Sequence, residues 1–143
     1  NELQKRRVIA KLKKHLGSLS GRTVTLLGAA FKPNTDDIRE AASLVLASRL
    51  MAEGALVRLY DPVALDAARG QLSGVTFEQD PARAIAGADA VVVVTEWAQI
   101  IALDWSAAIA SMAEARLVVD GRNALDPVLL RAAGATYEAI GRT

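Results

Sequence analysis

The chain has 143 residues, about one domain's worth, and its 52% hydrophobic against 23% charged composition excludes a disordered chain. Its lack of cysteine excludes a disulfide scaffold, a Cys-ligated zinc site and thiol catalysis in this chain. The net charge of +1 is unevenly spread: residues 1–22 hold seven Lys/Arg against one Glu, and the remainder ten Lys/Arg against fifteen Asp/Glu.

Residues 1–16 have Leu3, Val8, Ile9, Leu12 and Leu16 at helical spacing with Lys and Arg elsewhere, which predicts an amphipathic helix stopped at Gly17. No cap sequence precedes it, so it reads as the tail of a longer helix. The basic face admits a nucleic-acid or anionic-lipid reading, but no aromatic platforms accompany it; a solvated face is the reading adopted, with no nucleic-acid partner. No run approaches the roughly 18 apolar residues of a membrane span, and no signal-peptide pattern opens the chain. A cytoplasmic protein with no membrane partner is therefore expected. The polar stretch Leu16–Arg22 suggests a hinge dividing residues 1–20 from a domain over 21–143.

Strand and helix then alternate. Thr23–Gly28 reads as a buried parallel strand, Ala41–Glu53 as a helix ended by Gly54, and Ala55–Tyr60 as a second strand. Val75–Phe77 is a short third strand, Pro81–Ala86 a short helix, and Ala90–Thr95 the strongest strand of the chain. A helix over Asp104–Met112, a strand over Arg116–Val119, a helix over Pro127–Ala133 and a strand over Ala135–Ala139 complete the order. Asp61-Pro62, Asp80-Pro81 and Asp126-Pro127 each predict a helix start, because Asp caps well and Pro fits the first helical position. With 28 alanines, helices pack closely on the sheet. The expected fold is α/β: a Rossmann-like, doubly wound, mainly parallel sheet of about six strands, preceded by an N-terminal helical arm.

In such sheets ligands bind beyond the carboxyl ends of the strands, which directs attention to residues 28–40, 60–62, 95–97 and 120–123. The first segment lacks G-x-G-x-x-G, so a dinucleotide pyrophosphate held tightly at this turn is unsupported. Lys32 and Arg39 supply cations suited to phosphate, or are simply solvated. Asp36-Asp37 lacks a third ligand for a metal and reads as a helix cap. Asp61 stands where a Rossmann fold places its ribose-binding acid, but too far from Gly28; it reads first as a helix cap. His15, the single histidine, shows no carboxylate or serine partner nearby in sequence and reads as structural or solvated. Trp97 either covers a ligand or packs in the core, and Gly121 permits close backbone approach beside Arg122, a bidentate anion binder.

The run GAAFKPNTDDIREAASL resembles the C-terminal domain of the UDP-glucose/GDP-mannose dehydrogenase family, whose pattern is close to G-L-A-F-K-P-x-T-D-D-x-R-E-x-P-S-x. Tyr60-Asp61-Pro62, Ala88-Asp89-Ala90 leading to Thr95-Glu96-Trp97, Asp120-Gly121-Arg122-Asn123, and Tyr137 with Gly141-Arg142 extend the likeness along essentially the whole chain, nearer the UDP-glucose branch. Ala29 and Ala42 depart from the family's Leu and Pro without touching a site position. The resemblance implies an NAD-dependent oxidation of UDP-glucose to UDP-glucuronate. The nucleophilic cysteine and the NAD domain lie upstream in the family, so this chain would carry no catalytic residue and no metal, and would be inactive alone. The resemblance also implies that Phe31, Lys32 and Arg122 contact the nucleotide sugar, that Arg39 reaches NAD, and that the full-length enzyme is a homodimer. The alternatives are the same domain acting on UDP-N-acetylmannosamine or GDP-mannose, or a stand-alone nucleotide-binding module.

Overall fold

A computed structural model describes residues 2–29 and 42–140. Six strands, β1 (Thr23–Leu27), β2 (Leu56–Tyr60), β3 (Thr76–Glu78), β4 (Ala90–Val93), β5 (Leu117–Asp120) and β6 (Thr136–Ala139), form one sheet in the order β3-β2-β1-β4-β5-β6. Every neighbouring pair is parallel. The winding reverses between β1 and β4, which is the doubly wound arrangement expected from the alternation of elements. Right-handed crossovers running outward in both directions from that point place helices on opposite faces. β4 and β5 are accordingly buried at all their positions, as apolar runs without alternation require.

The helices are α1 (Glu2–Leu16), α2 (Ala42–Ala52), α3 (Leu65–Arg69), α4 (Pro81–Ile85), α5 (Ala98–Ile101), α6 (Trp105–Ser111) and α7 (Pro127–Ala132). Two of the three Asp-Pro pairs act as expected. Asp80 caps α4 by accepting from the Ala82 N–H, and Asp126 caps α7 by accepting from Val128 and Leu129. Asp61-Pro62 does not: α3 starts four residues after Asp61, with Ala64 at its N-cap and no side-chain cap. α3 is nonetheless the helix that Asp61-Pro62 announces, begun later than expected, whereas α5 is a single turn too short to show a period in the sequence.

Gly17 ends α1 with φ +72 and an N–H donated to the Lys13 carbonyl, a left-handed stop that glycine adopts without strain. The apolar stripe of α1 enters the core: Val8, Leu12 and Leu16 are buried together with Leu19. α1 packs on α2 and β5. Its basic side is tied to the far end of the chain. Glu138 of β6 accepts from His15 Nε2 at 2.7 Å, Lys14 at 3.1 Å and Lys11 at 3.4 Å. His15 therefore does have a carboxylate partner, invisible in the sequence because 123 positions separate the two residues. These partners pull the Glu138 carboxyl down to about 2, the His15 hydrogen bond acting most strongly and the two lysines adding to it.

Register places the functional edge. Leu27 is level with Tyr60 on one side and Val93 on the other, and Val93 with Asp120. The chain leaves four adjacent strands at one height, so residues 28–29, 61, 94–97 and 121–123 line up along a single rim.

Candidate functional site

Two buried aspartates organise this rim. Asp61, 2% exposed, accepts from Ala29 N (2.7 Å), Val63 N (2.9 Å), Ala64 N (2.8 Å) and the indole Trp97 Nε1 (3.0 Å). It thereby joins the exits of β2, β1 and β4. A buried carboxylate is tolerated only with such pairing, and these N–H groups supply it. The helix-cap expectation for Asp61 is corrected: the residue turns its own loop through Val63 and Ala64 and ties two neighbouring loops to it. Asp120, wholly buried, does the same at β5, accepting from Arg122 N (3.1 Å), Leu125 N (2.8 Å) and the Tyr137 hydroxyl (2.7 Å).

The glycines at the rim are consumed by packing. Gly28 has φ +107, and a Cβ there would lie 2.5 Å from Thr95. A Cβ on Gly121 would meet the Val93 carbonyl at 2.8 Å, and the Gly121 N–H donates to that same oxygen at 3.0 Å. The close approach expected at Gly121 is thus to the chain's own β4. Trp97 is 3% exposed and belongs to the core, its ring buried and its N–H spent on Asp61.

Arg122 is bidentate, as expected of a guanidinium, but its partner is internal. Its Nε donates to Glu96 Oε2 and its Nη2 to Glu96 Oε1 at 3.1 Å. The hydrogen bond from Arg122 holds the Glu96 carboxyl below the usual carboxylate range, and the same bond raises the guanidinium further. Glu96 lies in the T-E-W block, and nothing local in the sequence marks it as a partner of Arg122. The available signal was its place just after β4, next to the Arg122 turn once β4 and β5 are neighbours. Phe31, Lys32, Arg39, Asp36 and Asp37 lie outside the described residues.

The rim does not suit a dinucleotide bound in the usual Rossmann manner. The turn after β1 has no glycine besides Gly28, and that one is packed against Thr95. Asp61, at the position of a ribose-binding acid, is buried under N–H donors of the protein itself. Among the described residues no cluster of His, Asp and Glu is placed to hold a metal, and no helix is long and apolar enough to cross a membrane.

Residues 25–127 match the model of the UDP-glucose/GDP-mannose dehydrogenase family, UDP binding domain. The chain is 42% identical over 99% of its length to UDP-glucose 6-dehydrogenase YwqF of Bacillus subtilis, covering 32% of that protein. It is 43% identical to a UDP-glucose 6-dehydrogenase of Pseudomonas aeruginosa, with 88% of this chain and 29% of the relative aligned. Among solved structures, a UDP-glucose dehydrogenase from Pyrobaculum islandicum superposes with TM-score 0.80 at 36% identity, over 96% of this chain and 29% of the other. The chain spans about a third of the length of the curated relatives it matches. Fold, rim motifs and family match agree: this chain belongs to the UDP-glucose/GDP-mannose dehydrogenase family and is its C-terminal, UDP-binding domain.

Proposed function

We propose that this chain forms the nucleotide-sugar wall of an NAD-dependent dehydrogenase that oxidises UDP-glucose to UDP-glucuronate. The observation that carries the reading is the level rim of strand ends, with Arg122 held at its edge by both backbone and side chain, inside a stretch matched to a UDP-binding domain. Phe31, Lys32 and Arg122 are assigned to the nucleotide sugar. Arg39 is assigned to NAD held by another part of the protein, since the rim of this domain lacks the features of a dinucleotide site. The nucleophilic cysteine must likewise come from outside these 143 residues, which contain none. We place the domain boundary near residue 20 and read the whole protein as a cytoplasmic homodimer.

The choice of UDP-glucose follows the Bacillus subtilis and Pseudomonas aeruginosa relatives, at 42% and 43% identity, which bear that name. Shape alone is less selective: an NDP-N-acetyl-D-galactosaminuronic acid dehydrogenase from Methanosarcina mazei superposes with TM-score 0.83 at 27% identity, over 99% of this chain and 29% of the other. The test is NADH formation by the full-length protein with UDP-glucose, UDP-N-acetylmannosamine and GDP-mannose in turn. UDP-glucose is expected to give the highest kcat/KM, and a preference for either of the others would replace it. The isolated 143-residue chain should produce no NADH above a blank.

A further inference from the structure

The Arg122–Glu96 pair differs from an ordinary surface ion pair in how both partners are fixed. Arg122 follows Gly121, whose N–H is bound to Val93, and its own N–H is bound to Asp120. Glu96 sits between Thr95, which is buried, and Trp97, whose indole is anchored on Asp61. Both side chains are more than half buried, at 40% and 32% exposure. The contact is made along one edge of the guanidinium, Nε and Nη2. A guanidinium carries five N–H groups in a rigid plane, so the Nη1 edge, with the second Nη2 hydrogen, keeps its donors. Among the described residues nothing engages that edge.

We propose that Glu96 is the positioning residue for Arg122: it fixes the Nε–Nη2 edge and thereby presents the Nη1 edge to an oxygen of the nucleotide sugar. This rests on the assignment of Arg122 to that ligand. Two effects of Glu96 oppose each other. Its charge offsets that of Arg122, which weakens attraction to a diphosphate, but at a half-exposed site that attraction is screened by solvent and salt. It also orders a long side chain in advance, so that binding no longer bears the cost of immobilising it. The ordering effect wins, and Glu96 strengthens binding.

The experiment is a titration of UDP-glucose into the full-length protein without NAD, with steady-state kinetics alongside. It compares wild type with E96Q, E96A, R122A and the E96A/R122A double variant, each checked by thermal melting. R122A should raise the dissociation constant by about 10-fold or more, as loss of a charge-assisted hydrogen bond does. E96A should raise it about 3- to 10-fold and act on KM more than on kcat, since preorganisation lost from a single side chain is of that order. E96Q, which keeps one acceptor oxygen in the same shape, should fall between wild type and E96A and guards against a folding artefact. In the R122A background, E96A should add less than about twofold, because coupled residues are non-additive. Tighter binding by E96A would mean that Glu96 competes with the ligand, and an undiminished E96A effect in the R122A background would mean that it acts on its own. Either result overturns the proposal while leaving the role of Arg122 intact. An R122A protein that binds like wild type removes the ligand assignment itself, and the proposal with it.

Discussion

Asp61 and Glu96 stand on the same rim, one at the exit of β2 and the other just past β4, and their surroundings separate two uses of a carboxylate. Asp61 is 2% exposed and accepts from N–H groups drawn from three loops. Glu96 keeps 32% of its side chain exposed and binds one arginine whose opposite edge is unengaged among the described residues. A buried acceptor surrounded by protein donors has nothing left to offer a ligand, and its energy goes into holding loops together. A half-open pair contributes little to stability but leaves donors that the fold does not use. The difference explains why a residue at the usual ribose-binding position serves architecture here, while the neighbouring strand ends keep donors that the fold does not use.

The largest test of that contrast is Asp61→Ala. Removing the carboxylate strands several buried N–H groups at once, so stability should fall by about 3–5 kcal/mol, read as a lower urea midpoint. A loss under about 1 kcal/mol would show that water replaces the carboxylate and that the hub reading is wrong. Next is Gly28→Ala, which places a Cβ 2.5 Å from Thr95 at a φ of +107. Strain and overpacking together should cost about 2–4 kcal/mol in the same urea titrations. Neutral behaviour would mean that the β1 exit has room to shift.

The smallest effect is expected at Glu138, where the carboxylate lies under the cations of α1 and the partners are partly solvated. Its folded pKa of about 2 lies below the ordinary 4.5, so its contribution is complete above pH 4.5 and is lost as pH falls toward 2. Discounted for solvent, Glu138→Gln should destabilise by up to about 1 kcal/mol at neutral pH. The gap between variant and wild type should close as acid melts approach pH 2. A gap that persists at low pH would assign the effect to packing.

Most of the fold could be read in the chain because its signals are local. The apolar run Val91–Val94, the left-handed stop at Gly17 and the caps at Asp80 and Asp126 each act within a few residues. Arg122 could be placed at a strand end for the same reason. The bounds of α3 and the existence of α5 are not legible in the same way, because a single turn is too short to display a period.

Sequence by itself determined the alternation of strands and helices, the family motif and the residue types available at the strand ends. Tertiary structure alone decided which of those residues meet. The strand order puts Glu96 beside Arg122 across 26 positions, and Asp61 beside Ala29 and Trp97 across 32 and 36. It also brings His15 to Glu138 across 123. Local propensity depends on neighbours a few residues away, whereas a carboxylate's role depends on which donors surround it, and here several of those donors arrive from distant segments through the pairing of parallel strands.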